Sequence, residues 1–259
     1  MICFAACVSH PIISIPNVGQ DNQHKITATI QGLDTIRQEI YATKPDSLII
    51  ITPHAAHTGE VFTINQQVNL SVDFRAYGDL ATNIIVRNDL SLGYRLREQV
   101  ESTFPLILTE EKNLDYGSAV PLFHLQKLLP TLPVVILGSG EKIPVIEHYK
   151  LGQAFKRVIT PLTQRVAVIA SMDLSHDQPD SVPASQEAFD RQVIAALEQQ
   201  SIKILSTLAG SRSDTATECG LRPLAVLLGI LSETQLTTTI SSYERTLGIG
   251  YLTAYCQKL

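Results

Sequence analysis

Residues 48–59, LIIITPHAAHTG, carry the pattern that decides the fold: an apolar run is followed at once by a loop that contains a histidine. A short aliphatic run bounded by turn-forming residues is typical of a strand buried on both faces of a sheet. The same arrangement recurs in VSHPIISIP and in VAVIASMDLSHD. Side chains that follow the carboxyl ends of strands in an α/β sheet meet in one crevice. The sequence therefore predicts a shared site for His10, His54 and His176, and imidazole is the commonest protein ligand for metals.

The composition is that of a globular chain with a substantial core. Its 259 residues fall within the range of one large α/β domain, and 44% apolar with 17% charged residues excludes a disordered chain. No apolar stretch approaches the ~20 residues of a membrane helix. The net charge of −5 comes without a basic block, so nucleic acid is not an expected partner. Four cysteines without a CxxC pair favour a reducing cytoplasm.

Strands and helices are predicted to alternate along the chain. The strand candidates are 2–8, 47–52, 104–109, 132–138, 165–171, 237–242 and 249–255. Helical spacing occurs over 26–40 and recurs near 79–101, 121–129, 146–159, 184–199 and 221–231. A period-two segment, EVFTINQQVNL at 60–70, indicates an antiparallel hairpin. This order predicts an α/β fold with a mixed, largely parallel sheet between helices and antiparallel strands at one edge.

Two neighbouring residues, Glu218 and Cys219, are candidates for a third metal ligand. The segment 218–223, ECGLRP, opens an apolar helix, so both residues lie at or just before its amino terminus. With His10 and His54, Glu218 would complete the two-histidine, one-carboxylate set that holds non-haem Fe(II). Cys219 in its place would shift the preference towards zinc or copper. Spacing alone does not choose between the two.

Other polar residues in these segments have simpler explanations. Asp173 and Ser175 are typical turn formers. Arg222 and Asp115 are expected either to orient a substrate or a ligand histidine, or to form structural ion pairs. His57 is expected at the surface, because HAAH in a loop is a weak metal signature.

Six motifs follow one another along the chain: SHP at 9–11, TPHAAH at 52–57, DYGSAVPL at 115–122, SMDLSH at 171–176, ECGLRPLAVLLG at 218–229 and GIGYLTAY at 248–255. In this order they resemble the LigB-type class III extradiol ring-cleavage dioxygenases, and also the related MEMO-like proteins of the AmmeMemoRadiSam system. The likeness runs from the first strand to the last. It implies a single three-layer αβα domain over 1–259 with a phosphorylase/hydrolase-like fold.

The resemblance also implies residue roles. His10, His54 and Glu218 would bind Fe(II), with zinc or copper as alternatives, and His176 would be the catalytic acid/base. The substrates would be a small catecholic or aminophenol-type aromatic and dioxygen. A homodimer is a further implication, because relatives often form one.

One position departs from the family pattern. Dioxygenases of this kind often carry histidine after the aspartate of a D-H-G segment, whereas Tyr116 follows Asp115 here. A phenol with a pKa near ~10 donates a hydrogen bond well but is a poor base at neutral pH. We therefore expect Tyr116 to be a catalytic hydrogen-bond donor.

Two other functions stay open. The MEMO-like relatives include proteins with a cysteine at the position of Cys219. This likeness supports an alternative function, a metal-binding protein without dioxygenase activity and with a redox or partner-binding role. A zinc hydrolase ranks last, since HExxH is absent.

Overall fold

Twelve strands are present in the computed structural model, which describes residues 1–56, 59–177, 183–210 and 217–258. In chain order they are β1 (Ile2–Val8), β2 (Ser47–Thr52), β3 (Phe62–Asn65), β4 (Asn69–Phe74), β5 (Asp79–Arg87), β6 (Leu106–Thr109), β7 (Val134–Gly138), β8 (Val166–Ser171), β9 (Ser175–His176), β10 (Thr217–Glu218), β11 (Leu236–Thr246) and β12 (Ile249–Lys258).

Eight α-helices connect these strands within the same described ranges. They are α1 (Pro16–Gly19), α2 (Thr27–Ala42), α3 (Leu90–Val100), α4 (Tyr116–Leu125), α5 (Val145–Ile159), α6 (Pro183–Glu198), α7 (Ile202–Gly210) and α8 (Leu221–Leu231). None of the helices in the described part of the chain has the length and apolar character needed to span a membrane.

Ten of the strands form one large sheet, and its order explains where the site lies. The order is β10-β9-β12-β1-β8-β2-β7-β3-β6, with β11 paired to β12. The central strands β1, β8, β2 and β7 are parallel, whereas β9 to β12 are antiparallel at one edge. Three adjacent parallel strands, β1, β8 and β2, therefore end at the same edge of the sheet, and each is followed by one of the predicted site histidines.

Helices cover both faces of the sheet, as the apolar strands predict. In β2, Ile49 and Ile51 belong to the core under α3, α5 and α8, whereas Leu48 and Ile50 belong to the core under α2 and α4. All four side chains are fully buried. Burying each contributes ~1.5–3 kcal/mol relative to leaving it exposed. The fold is thus the expected α/β architecture, with a mixed central sheet between helical layers.

Two expectations for the segment after β2 are wrong. The period-two segment 60–70 is not a hairpin: β3 lies in the large sheet between β7 and β6, and β4 pairs instead with β5. The helix expected from residue 79 begins only at Leu90, because the preceding residues form β5. The hairpin of β4 and β5 is a separate two-stranded sheet.

Candidate metal centre

His10 lies just after β1 and is oriented by a chain of hydrogen bonds. The Ser171 hydroxyl donates to the carbonyl of Gly117, and the same oxygen lies 2.8 Å from His10 Nδ1. A hydroxyl has one proton to donate, so Ser171 accepts from Nδ1–H of His10. This bond leaves the Nε2 lone pair of His10 free to point into the site.

The carbonyl of Gly117 is available because of a proline inside α4. Pro121 stands four residues after Gly117 and has no backbone N–H to donate to it. The carbonyl accepts from Ser171 instead. A proline that would ordinarily weaken a helix thus leaves a carbonyl free to orient the Ser171 hydroxyl, and Ser171 in turn orients His10.

His54 follows β2 and is fixed through its backbone. Its N–H donates to the Thr52 hydroxyl at 3.2 Å, and that hydroxyl donates to the Asp115 carboxylate at 2.7 Å. Asp115 also caps α4, since it accepts from the backbone N–H of Ser118 at 3.0 Å. A Cβ atom at Gly117 would lie 2.7 Å from the Thr52 hydroxyl, so only glycine allows α4 to approach this closely.

His10 and His54 are both neutral near neutral pH. Burial, with a smaller effect of His176, lowers the pKa of His10 to about 3. Burial, followed by the proximity of His10, lowers the pKa of His54 to about 4. The two ring centroids are 5.1 Å apart, edge to face. Metals bind the neutral form of imidazole, so burial prepares both residues for coordination.

Cys219 completes this group. Its Sγ lies 3.6 Å from His10 Nε2 and accepts from the backbone N–H of Asp173 at 3.2 Å. One ligand atom each from His10, His54 and Cys219 lies within 4.8 Å of the others. Burial, and then the Asp173 carboxyl, raises the pKa of the Cys219 thiol well above its ordinary value. A thiol must lose its proton to bind a metal, so coordination would release a proton here.

Asp173 is part of the same site, although its sequence pattern indicated only a turn. Its Oδ1 accepts from the backbone N–H of His10 at 3.1 Å, and its Oδ2 lies 3.5 Å from His10 Nε2. Because the His10 imidazole is neutral, this contact is not an ion pair. Burial raises the pKa of Asp173. The sequence signal that could have identified Asp173 is its position, two residues after β8 and three before His176.

His176 forms a second, overlapping group with Asp173 and Cys219, whose ligand atoms also lie within 4.8 Å of one another. The Nε2 atom of His176 is buried and has no hydrogen-bond partner among the described residues. A buried nitrogen without a partner is costly, so this atom is a candidate for contact with a ligand or a reacting proton.

Tyr116 lies against His54. The rings stack with centroids 4.4 Å apart, and the phenol oxygen lies 2.8 Å from His54 Nε2. Burial raises the pKa of the Tyr116 phenol, so it keeps its proton and can donate a hydrogen bond. A cavity of about 550 Å³ opens beside these two residues and is also lined by Tyr77 and Arg75. Of the three candidate histidines, His54 is the one that lines this cavity.

Glu218, the third ligand expected from the sequence, lies outside both groups. One carboxylate oxygen accepts from the backbone N–H of Leu221 at 2.7 Å, at the start of α8, and the other lies 3.7 Å from the Arg222 guanidinium. Its side chain is 2% exposed. The structure thus brings together His10, His54 and Cys219, and it places Glu218 at the helix terminus. His57 lies outside the described residues.

The chain belongs to the LigB family. Residues 4–254 match the family described as the catalytic LigB subunit of aromatic ring-opening dioxygenase. Protein CA_C1420 of Clostridium acetobutylicum is 27% identical over 93% of this chain and 54% of its own length. A 2,3-dihydroxyphenylpropionate/2,3-dihydroxicinnamic acid 1,2-dioxygenase of Klebsiella pneumoniae is 28% identical over 74% of this chain and 62% of its own length. The chain thus spans between half and two thirds of these curated relatives.

A solved structure shows the same fold. The crystal structure of uncharacterized protein JW3007 from Escherichia coli K12 superposes with a TM-score of 0.69, covering 98% of this chain and 99% of that one. At 18% identity this likeness concerns the fold alone.

Proposed function

We propose that this protein is a non-haem Fe(II)-dependent extradiol ring-cleavage dioxygenase that acts on a catecholic or aminophenol-type aromatic. The observation that carries the proposal is the convergence of His10, His54 and Cys219, with His176 in an overlapping group. Membership of the LigB family supports the reaction class.

For the metal, we propose His10, His54 and Cys219 as the ligands. The residues fit a divalent transition metal, because two neutral imidazoles and one sulfur offer donor atoms within 4.8 Å of one another. Glu218, which the family resemblance favoured, is assigned to capping α8 and remains the alternative third ligand.

The chain's own residues supply the proton transfers. When bound, Fe(II) would provide the coordination positions for the two adjacent oxygens of the substrate and for dioxygen. His176 is proposed to take the proton of the second hydroxyl at its Nε2 and to return it as the ring opens. Tyr116 would donate a hydrogen bond to a substrate oxygen from the wall of the cavity.

One observation favours a second candidate function. A thiolate ligand is softer than a carboxylate and shifts metal preference towards zinc or copper. The position of Cys219 beside His10 therefore also supports a metal-binding protein without dioxygenase activity. In that case the metal would be zinc or copper, and its retention would depend on Cys219.

Metal analysis combined with oxygen uptake tests both functions. Protein reconstituted anaerobically with Fe(II) is mixed with air and a panel of catechols and 2-aminophenols, and oxygen consumption is followed with product absorbance. Iron content is compared in the parent, Cys219→Ser and Glu218→Gln, with exposed His24→Gln as control. We expect oxygen uptake, and loss of iron in Cys219→Ser alone. Full iron occupancy without uptake of oxygen on any diol would contradict the dioxygenase and leave the second function.

A further inference from the structure

We propose that Arg245 is a positioning residue for His176, which it holds through contacts with the residues on both sides of it. The inference rests on the acid/base role proposed for His176. From β11, one guanidinium nitrogen of Arg245 donates to the Ser175 hydroxyl at 2.7 Å and lies 3.4 Å from the Ser175 carbonyl. The other nitrogen donates to the Asp177 carboxylate. Ser175 and Asp177 are the two chain neighbours of His176.

A buried carboxylate anchors this arrangement from the opposite side. Asp190 on α6 is fully buried and accepts from the Ser175 backbone N–H at 2.9 Å and from the Ser175 hydroxyl at 2.6 Å. It also accepts from Arg245 at 3.1 Å and from the Tyr243 hydroxyl at 3.1 Å. Since the Ser175 hydroxyl donates to Asp190, it is free to accept from Arg245. Helix α6, β9 and β11 are thereby joined in one polar network.

A glycine on the intervening strand makes room for the network. Strand β12 lies between β11 and β9, and Gly250 is the residue that pairs with Arg245. A Cβ atom at Gly250 would lie 2.2 Å from a carboxylate oxygen of Asp190. The close approach of Arg245 and Asp190 across β12 therefore requires a residue without a side chain here.

Among the described residues, none hydrogen-bonds the His176 ring at Nε2, so its orientation depends on its neighbours in the chain. That atom is buried without a hydrogen-bond partner in the described part of the chain. Strand β9 contains only two residues, which pair with β10 and, at His176, with Ile249 of β12. Backbone bonds from Leu174 to Gly250 and from Asp177 to Gly248 flank it. So short a ladder leaves the orientation of the imidazole dependent on the side-chain contacts of its neighbours.

Three variants separate positioning from general stability. Asp177→Asn weakens only the contact on the outer side of His176, where the Asp177 side chain is 39% exposed. Arg245→Lys keeps a positive charge for buried Asp190, but its single nitrogen cannot replace the two guanidinium nitrogens that donate hydrogen bonds. Tyr243→Phe is the matched control, because it removes a hydrogen bond to Asp190 without touching either neighbour of His176.

The first measurement needs no activity. Protein labelled with ¹³C-histidine is studied metal-free by NMR, and the His176 ring signal is assigned through its loss in His176→Gln. We expect Asp177→Asn and Arg245→Lys to shift and broaden this signal, with loss of more than half its intensity, whereas Tyr243→Phe leaves it in place. In urea unfolding of the same samples, we expect Asp177→Asn to be as stable as Tyr243→Phe. An unchanged ring signal in both Asp177→Asn and Arg245→Lys would overturn the proposal.

The second measurement uses the iron-loaded protein with a catechol that supports oxygen uptake. A misplaced acid/base slows proton transfer more than substrate binding, so in Arg245→Lys we expect kcat to fall about tenfold or more while KM stays within about twofold. A rise in KM at unchanged kcat would contradict positioning. Because the NMR signal does not depend on turnover, failure of the dioxygenase function would be distinguishable from failure of this inference.

Discussion

Acidification should unfold this protein steeply, because three buried histidines and the half-buried His54 are held neutral in the folded chain. Burial lowers the pKa of His10 and His124 to about 3 and that of His54 and His148 to about 4. In the unfolded chain each takes up a proton near its ordinary pKa of ~6.5. The stability contributed by the neutral rings is therefore present above this pH and is lost as the pH falls towards about 4. Burial raises the pKa of Asp173 instead, which offsets about one of these protons.

The expected size follows from this proton balance. A net uptake of about three protons on unfolding, at ~1.4 kcal/mol per proton and pH unit, lowers the free energy of unfolding by ~4 kcal/mol per pH unit near pH ~5. A domain of total stability ~5–15 kcal/mol would lose most of it within a few pH units. Urea unfolding in the presence of a chelator, repeated between about pH 7 and pH 5, measures the slope. His124→Gln, which removes one of the four groups, should reduce the slope by ~1.4 kcal/mol per pH unit. A slope equivalent to less than about one proton would refute the neutral, buried state of these histidines.

Three substitutions test the residues that surround the histidines. Gly117→Ala should cost ~1–3 kcal/mol in urea unfolding and weaken metal binding, because its Cβ would lie 2.7 Å from the Thr52 hydroxyl. The control is Gly210→Ala, where the described residues place no atom within 4 Å of an added Cβ, apart from its chain neighbours and its own helix. Tyr116→Phe should keep the metal but lower kcat about tenfold, and an unchanged rate would remove the phenol from the mechanism. Thr52→Val should lower the free energy of unfolding by ~1–3 kcal/mol and loosen His54. Calorimetry measures this change, and a thermal transition unchanged from that of the parent protein would contradict it.

The parallel centre of the fold was predictable, and the hairpin was not. A strand such as β2 is aliphatic throughout because both of its faces are covered. Strand β5 lies outside the large sheet, and Leu80 and Ile85 on it are exposed. With apolar side chains on its solvent side, β5 does not show the two-residue alternation of a half-buried strand, and its apolar residues merge with the helical spacing of α3. This overlap of the two patterns led to the wrong expectation that a helix begins near residue 79.

The convergence of the three histidines was predictable from local sequence, but their neighbours were not. Each histidine follows a strand that the aliphatic pattern identifies, and the sheet then places β8 between β1 and β2. That strand order is a property of tertiary pairing, which no local pattern specifies. The sequence indicates only a turn former at Asp173, because its contact with His10, 163 residues away in the chain, depends on the tertiary fold. For the same reason, no local sequence pattern indicates Arg245, whose contacts with Ser175 and Asp177 cross an intervening strand.

The choice between Glu218 and Cys219 shows why spacing could not settle the third ligand. Strand β10 ends at Glu218, and Cys219 is the first residue after it. Glu218 pairs with Ser175 in β9. The carboxylate turns to the first turn of α8, where an anion is favoured, and the sulfur lies beside His10. Because β9 also carries His176, the same strand pairing brings Cys219 and the proposed acid/base together.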